Sequence, residues 1–163
     1  MTAITLATIY HDPHGRLCEQ ALRVLPLLGR LFGGIAINAS PETDPRLLQV
    51  FARDALIRRD TPGDDGLPRI GLARKEAVEL ALQLDNAAVL YCDGDRILHW
   101  AEYHPDELKH ILPQLGECDL TVLGRTQRAF DTHPATMRTT ETIVNRVYGL
   151  VSGNPWDITG AAR

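Results

Sequence analysis

Residues 88–112, AVLYCDGDRILHWAEYHPDELKHIL, decide how the chain is read. The apolar run Ala87-Ala88-Val89-Leu90-Tyr91 has the length of a buried strand, and it stops at Cys92-Asp93-Gly94-Asp95, two carboxylates separated by a glycine. In an open α/β sheet a strand that ends this way delivers its carboxylates to the edge where ligands bind. Hard divalent cations prefer oxygen ligands, so Asp93 and Asp95 are a candidate site for Mn²⁺ or Mg²⁺. The same residues also make an ordinary polar turn, in which Asp and Gly are favoured. His104-Pro105-Asp106-Glu107 then predicts a helix start, with Pro at the first helical position and acids in the first turn.

On the N-terminal side, Ile4 to Tyr10 predicts a strand that meets the turn His11-Asp12-Pro13-His14-Gly15. Leu17, Ala21, Val24, Leu25, Leu28 and Phe32 recur at helical spacing up to Gly33-Gly34. Ile35-Ala36-Ile37 predicts a second strand running into the polar loop 38–45, and Leu47, Leu48, Val50, Phe51 and Ala55 supply the apolar face of a second helix. Arg58 to Arg69, RRDTPGDDGLPR, has no apolar periodicity and predicts an exposed loop. Ile70 through Leu84 returns to helical spacing and leads into the 87–91 strand.

Beyond the opening stretch, Pro105 to Leu115 predicts a helix, Leu120-Thr121-Val122-Leu123 a further strand ending at Gly124-Arg125, and Pro134 to Val151 a long helix stopped by Gly153. Strands alternating with helices imply βαβ units, hence a three-layer α/β/α sandwich with a mainly parallel sheet, formed by residues 1–163 as a single domain. The order of elements sends four loops to the carboxyl edge: Asp12, Ser40 to Asp44, Asp93 to Asp95, and Arg125 onward. Three carry carboxylates, and the fourth carries Arg125 and Arg128.

Composition narrows the function classes. The 163 residues are 44% hydrophobic and 23% charged, enough for a real core. Seventeen basic against 21 acidic residues give a net charge of −4, which argues against a nucleic-acid or anionic-membrane surface. Cys18, Cys92 and Cys118 are odd in number and form no C-x-x-C pair, which points to a reducing cytoplasm. There is no signal-peptide pattern and no apolar run of transmembrane length. The phosphate loop G-x-x-x-x-G-K-[ST], a G-x-G-x-x-G after the first strand, G-x-S-x-G and H-E-x-x-H are all absent. What stands is a pair of aspartates with arginines at the same sheet edge, a set suited to a metal-chelated diphosphate.

In order, these residues resemble the nucleotide-sugar-binding domain of GT-A glycosyltransferases, in particular the family-2 type typified by dolichyl-phosphate-mannose synthase. Asn-Ala-Ser-Pro-Glu-Thr-Asp at 38–44 is similar to that family's acidic loop after the second strand. Ile70-Gly71-Leu72-Ala73-Arg74 is similar to its G-x-A-R/K helix start, and Asp93-Gly94-Asp95 to its D-x-D. Gly124-Arg125 is similar to its strand end, and the run from Arg138 through Asn145 to Asp157-Ile158-Thr159-Gly160-Ala161-Ala162-Arg163 to its C-terminal pattern. The first loop departs from the family, reading His11-Asp12-Pro13 where Pro and Asn-Glu are usual.

The resemblance implies a GT-A fold that binds a nucleoside diphosphate sugar and transfers the sugar to an unknown acceptor. It implies that Asp12 and Asp44 lie near the base and ribose, that Arg74 and Asp93 face the diphosphate, and that Asp93 and Asp95 hold Mn²⁺ or Mg²⁺. Arg125, with Arg138 or Asn145, would lie toward the sugar or the acceptor phosphate, so that Asp93, Arg125 and Arg138 form the catalytic set. Asp131, Glu141 and Asp157 are the candidates for a general base. Because the family continues past the point equivalent to Arg163, the expectation is either a domain truncated on the acceptor side or a minimal protein that has lost or borrowed that part. Competing readings are a non-catalytic nucleotide-binding or regulatory module of the same fold, and a sugar nucleotidyltransferase that attacks phosphorus with the same metal.

Overall fold

The computed structural model describes residues 3–59, 70–115, 119–155 and 158–159. Residues 1–119 form one compact unit and 120–163 a second. In the first, strands β1 (Ile4–Tyr10), β2 (Gly34–Ala39), β3 (Ala55–Arg59) and β4 (Ala88–Tyr91) lie in the order β3-β2-β1-β4, every pair parallel. Helices α1 (Cys18–Leu31), α2 (Pro45–Phe51) and α3 (Ile70–Ala81) connect them, and α4 (Gly94–Tyr103) and α5 (Pro105–Ile111) follow. Residues 82–84 and 112–114 add single 3₁₀ turns.

Alternation along β1 assigns each face of the sheet. Ala7 shares one face with Ala36 of β2, and both pack on Leu80 and Ala81 of α3. Two alanines on the strands meeting Ala77 and Ala81 on the helix leave little side-chain bulk between the layers. Tyr10 belongs to the other face, where its ring tilts against Phe51 of α2 at 5.7 Å. There α1 packs beside both α2 and α4, burying Leu28, Leu47, Ile97 and Leu98. The strand order reverses after β3, so right-handed crossovers send α3 to the face opposite α1 and α2. The unit is α/β with helices on both faces of a parallel sheet, compatible with a three-layer sandwich.

Three sequence expectations are corrected. The second helix does not reach Ala55: α2 stops at Phe51, and Ala55–Arg59 is an edge strand paired with β2. With one neighbour only, β3 needs few apolar residues, and Arg58 and Arg59 at its end give the charged edge that discourages pairing with other chains. The remainder of the predicted 58–69 loop, 60–69, lies outside the described residues. Second, Asp93-Gly94-Asp95, read as a turn, opens a helix at Gly94, which Pro105, whose ring and missing N–H disfavour continuation, breaks; the expected helix start at Pro105 holds as α5. Third, Leu120–Leu123 adds no strand to the sheet, only an isolated bridge at Leu123, because Leu120 and Val122 are exposed and find no core. Among the described residues the sheet has four strands.

The second unit contains α6 (Gln127–Asp131) and α7 (Ala135–Ser152). Gly153 ends α7 at φ 75°, as the glycine stop predicts. None of its described residues is fully buried, and the best-covered charged pair is Arg125 with Glu141, whose side chains are 8% and 13% exposed. No helix among the described residues is long and apolar enough to cross a membrane.

Candidate functional site

Between β1 and β4 the chain reverses its direction of travel across the sheet, and the crevice outside their carboxyl ends is where an open α/β sheet accepts ligands. β1 contributes Tyr10, His11 and Asp12 to this edge, and β4 contributes Tyr91 through Asp95. Helix α3 runs back across the sheet, so its first turns bring Arg74 to the same edge.

Arg74, Tyr91 and Asp93 make one cluster. The Arg74 Nη2 donates to Asp93 Oδ2 at 2.8 Å, the Tyr91 hydroxyl donates to Asp93 Oδ1, and the guanidinium lies 6.0 Å from the Tyr91 ring centroid. Burial, and after it the bond to Asp93, pushes the Tyr91 phenol far above its ordinary value, so it stays a neutral donor. Burial works against the Arg74 charge, but Asp93 and Tyr91 outweigh it and hold the guanidinium above its usual value. Arg74 is nevertheless 44% exposed, so it is a cation held in place at a solvent-facing edge.

Asp93 stands at the N-cap position of α4 but does not cap it, because its side chain is turned to Arg74 and Tyr91. Asp95, exposed in the first turn, accepts the Arg96 N–H at 2.8 Å. Gly94 between them is required by packing: a Cβ there would lie 2.2 Å from Cε1 of Tyr10. Cys92 faces the buried side, and burial pushes its thiol up to about 12, which leaves it unreactive. Among the described residues no three His, Cys, Asp or Glu side chains gather as a ready-made metal cage. In general Mg²⁺ and Mn²⁺ need only one or two carboxylates and complete their shells with substrate phosphates and water.

The other expected ligand-facing residues have local partners. Asp12, 6% exposed, accepts the N–H groups of Arg16 at 3.0 Å and Leu17 at 2.9 Å, which fastens the loop into α1. Asp44 caps α2 by accepting the Arg46 N–H at 2.8 Å, and the Arg46 guanidinium grips both its oxygens. That side-chain bond, then the backbone one, lowers the Asp44 carboxyl to about 2. In the second unit Arg125 bonds Glu141 at 2.8 Å and Thr159 at 3.0 Å and lies 5.1 Å from the Phe130 ring centroid. Asn145 reaches Thr159 and the Ile158 N–H, while Arg138 faces Asp131 at 3.6 Å. Asp157 and residues 160–163 lie outside the described residues, as does Cys118.

Two polar groups at the sheet edge carry no sequence signal. Thr43 donates to the Tyr10 carbonyl at 3.0 Å, so the hydroxyl of Ser40, 3.1 Å away, is its donor, and Ser40 in turn accepts from Nδ1 of His11 at 2.8 Å. This chain ties the loops after β1 and β2 together. On the α3 face, Asn38 donates to the Ala73 carbonyl and to Glu76, which also receives Arg58. Apart from Ser40 with Thr43, each pairing joins residues from separate elements, so no spacing announces it. Compared with protein-family models, curated proteins and solved structures, the chain matches none. The first unit defines the molecule as an α/β protein with a polar, arginine-bearing edge at the reversal point of a parallel sheet.

Proposed function

We propose that this chain binds a nucleoside diphosphate sugar in the crevice outside β1 and β4, as a GT-A-like glycosyltransferase domain does, and passes the sugar to an acceptor. The observation that supports this is the Arg74–Asp93 pair at the end of β4. Arg74 offers planar, bidentate donors to diphosphate oxygens, and Asp93 holds that guanidinium at the edge in the meantime. Asp93 and Asp95 are the residues that would hold Mn²⁺ or Mg²⁺. When bound, such an ion neutralises charge on a departing diphosphate. Tyr91, kept neutral by its surroundings, fixes the Asp93 rotamer throughout.

A second reading, a non-catalytic nucleotide-binding module, is favoured by the state of the general-base candidates. Glu141 is engaged by Arg125, and Asp131 faces Arg138 and Gln127. One experiment separates the two. Thermal unfolding is followed with a panel of nucleoside diphosphates and their sugars, with and without Mn²⁺, and the panel is repeated on Arg74→Ala and Asp95→Ala. Ligand that binds the folded state raises the melting temperature, by about 2.7 kcal/mol of stabilisation at a hundredfold excess over Kd. A shift lost in Arg74→Ala supports the site; no shift with any donor defeats both readings. Release of free nucleoside diphosphate from the bound donor would then favour the transferase over the module.

A further inference from the structure

The second unit presents an apolar surface that its own fold leaves uncovered. Along α7, Met137, Thr140, Val144, Val147 and Val151 follow one another at alternating spacings of three and four, with Ile143 and Leu150 widening the stripe. That alternation is the seam pattern of a helix that pairs with another helix. Within the second unit, no described residue covers it. Its internal bonds, from Glu141 to Arg125 and from Asn145 to Thr159 and Ile158, leave from a different, polar side of α7. The six large apolar side chains stay exposed, from 42% at Met137 and Val144 to 79% at Leu150 and 84% at Val151.

We propose that this stripe is a homodimer interface, in which α7 of one protomer packs antiparallel on α7 of a second copy across a two-fold axis near Val144. Three observations select a second copy of the chain as the occupant. The area fits: the exposed parts of these side chains amount to roughly 600 Å², the upper end of what one patch on a soluble monomer shows and approaching the ~800 Å² per partner of a standard interface. The stripe carries no charge, so two copies meet without like-charge repulsion, as an isologous contact requires. An antiparallel pairing also sets the two helix dipoles head to tail. The area is at the small end for a stable complex, so the dimer is weak and its population depends on concentration.

The test is molar mass by light scattering and sedimentation on the full chain, over loading concentrations of about 5 to 500 µM, spanning the affinities such an area supports. The expected result is a shift with concentration from 18.0 kDa to twice that mass. Val147→Glu and Leu150→Glu should each hold the protein at the monomer mass, with an unchanged far-ultraviolet circular dichroism spectrum because both sites are exposed. Val144→Cys should give a covalent dimer on mild oxidation, beyond any formed by the wild-type chain. A wild-type chain that stays at 18.0 kDa throughout overturns the proposal. So does a dimer that persists in both glutamate variants, since it would use another face.

Discussion

The two units are held together by opposite means. Residues 3–115 enclose a parallel sheet between apolar layers, with Leu6, Leu28, Ile37, Phe51 and Leu98 at 1% exposure or less. Among the described residues of 120–159 none is fully buried, and the best-covered charged pair is that of Arg125 and Glu141. Burial of apolar area is non-directional and scales with area, so the first unit tolerates local polar rearrangement. An ion pair taken largely out of water depends on both partners, and removing one leaves the other charge uncompensated. The same sequence signal, apolar residues at helical spacing, thus produces a core in α1 and a bare surface in α7.

The sharpest way to break this contrast is to truncate one leucine in each unit. Leu98→Ala removes a side chain with no exposure, and unfolding measured in urea should lose about 3–4 kcal/mol. Leu150→Ala, at 79% exposure, should stay within about 0.5 kcal/mol, measured at a concentration where the chain is monomeric. Next comes the ion pair. Glu141→Ala should cost about 3 kcal/mol locally, because it removes the carboxylate that bonds Arg125 at 2.8 Å in a pair whose side chains are 8% and 13% exposed. Hydrogen exchange should show α7 amides losing protection while β1 and β2 amides keep theirs. An unchanged α7 would mean that the second unit does not rest on that pair. A smaller effect is expected at Gly94→Ala, about 2–3 kcal/mol, because the new Cβ falls 2.2 Å from the Tyr10 ring, itself fixed against Phe51. The melting temperature reads this directly, and a loss of less than a degree would show that the ring moves freely.

Those substitutions also mark what the sequence disclosed. β1, α1, β2 and β4 were legible because their apolar periods are unbroken and Pro or Gly punctuates their ends. β3 was not, since Ala55-Leu56-Ile57 is brief and the following arginines read as loop; pairing with β2 alone makes it a strand. α4 was hidden by Asp93-Gly94-Asp95, whose residue types suit a turn and a helix start equally. Gly94 is a glycine because of a ring on β1, a long-range contact without local trace. The resemblance set Arg74 and Asp93 toward one diphosphate, and the structure brings the two side chains within 2.8 Å of each other. Asp12 and Asp44 carry the same chemistry in sequence, but their partners are a backbone turn and a neighbouring arginine, which only the folded loops reveal.

Asp44 supplies the gentlest test, because it is an ion pair in the unit that does not depend on ion pairs. Its carboxyl is lowered to about 2 by Arg46, against an ordinary value near 3.9. The folded state therefore releases this proton more readily than the unfolded state. The resulting stabilisation is complete above about pH 5 and is lost as the pH falls through 4 and past 2, below which both states are protonated. Asp44→Asn keeps an oxygen to cap α2 but has no proton to titrate in that window. The variant should lose little stability at pH 7, since the Arg46 side chain is 70% exposed and solvent screens the pair. Between pH 5 and pH 3 its unfolding free energy should fall less steeply than that of the wild type. Parallel slopes would remove Asp44 from the acid sensitivity of the fold, and a large loss at pH 7 would mean that a surface charge pair holds the first unit after all.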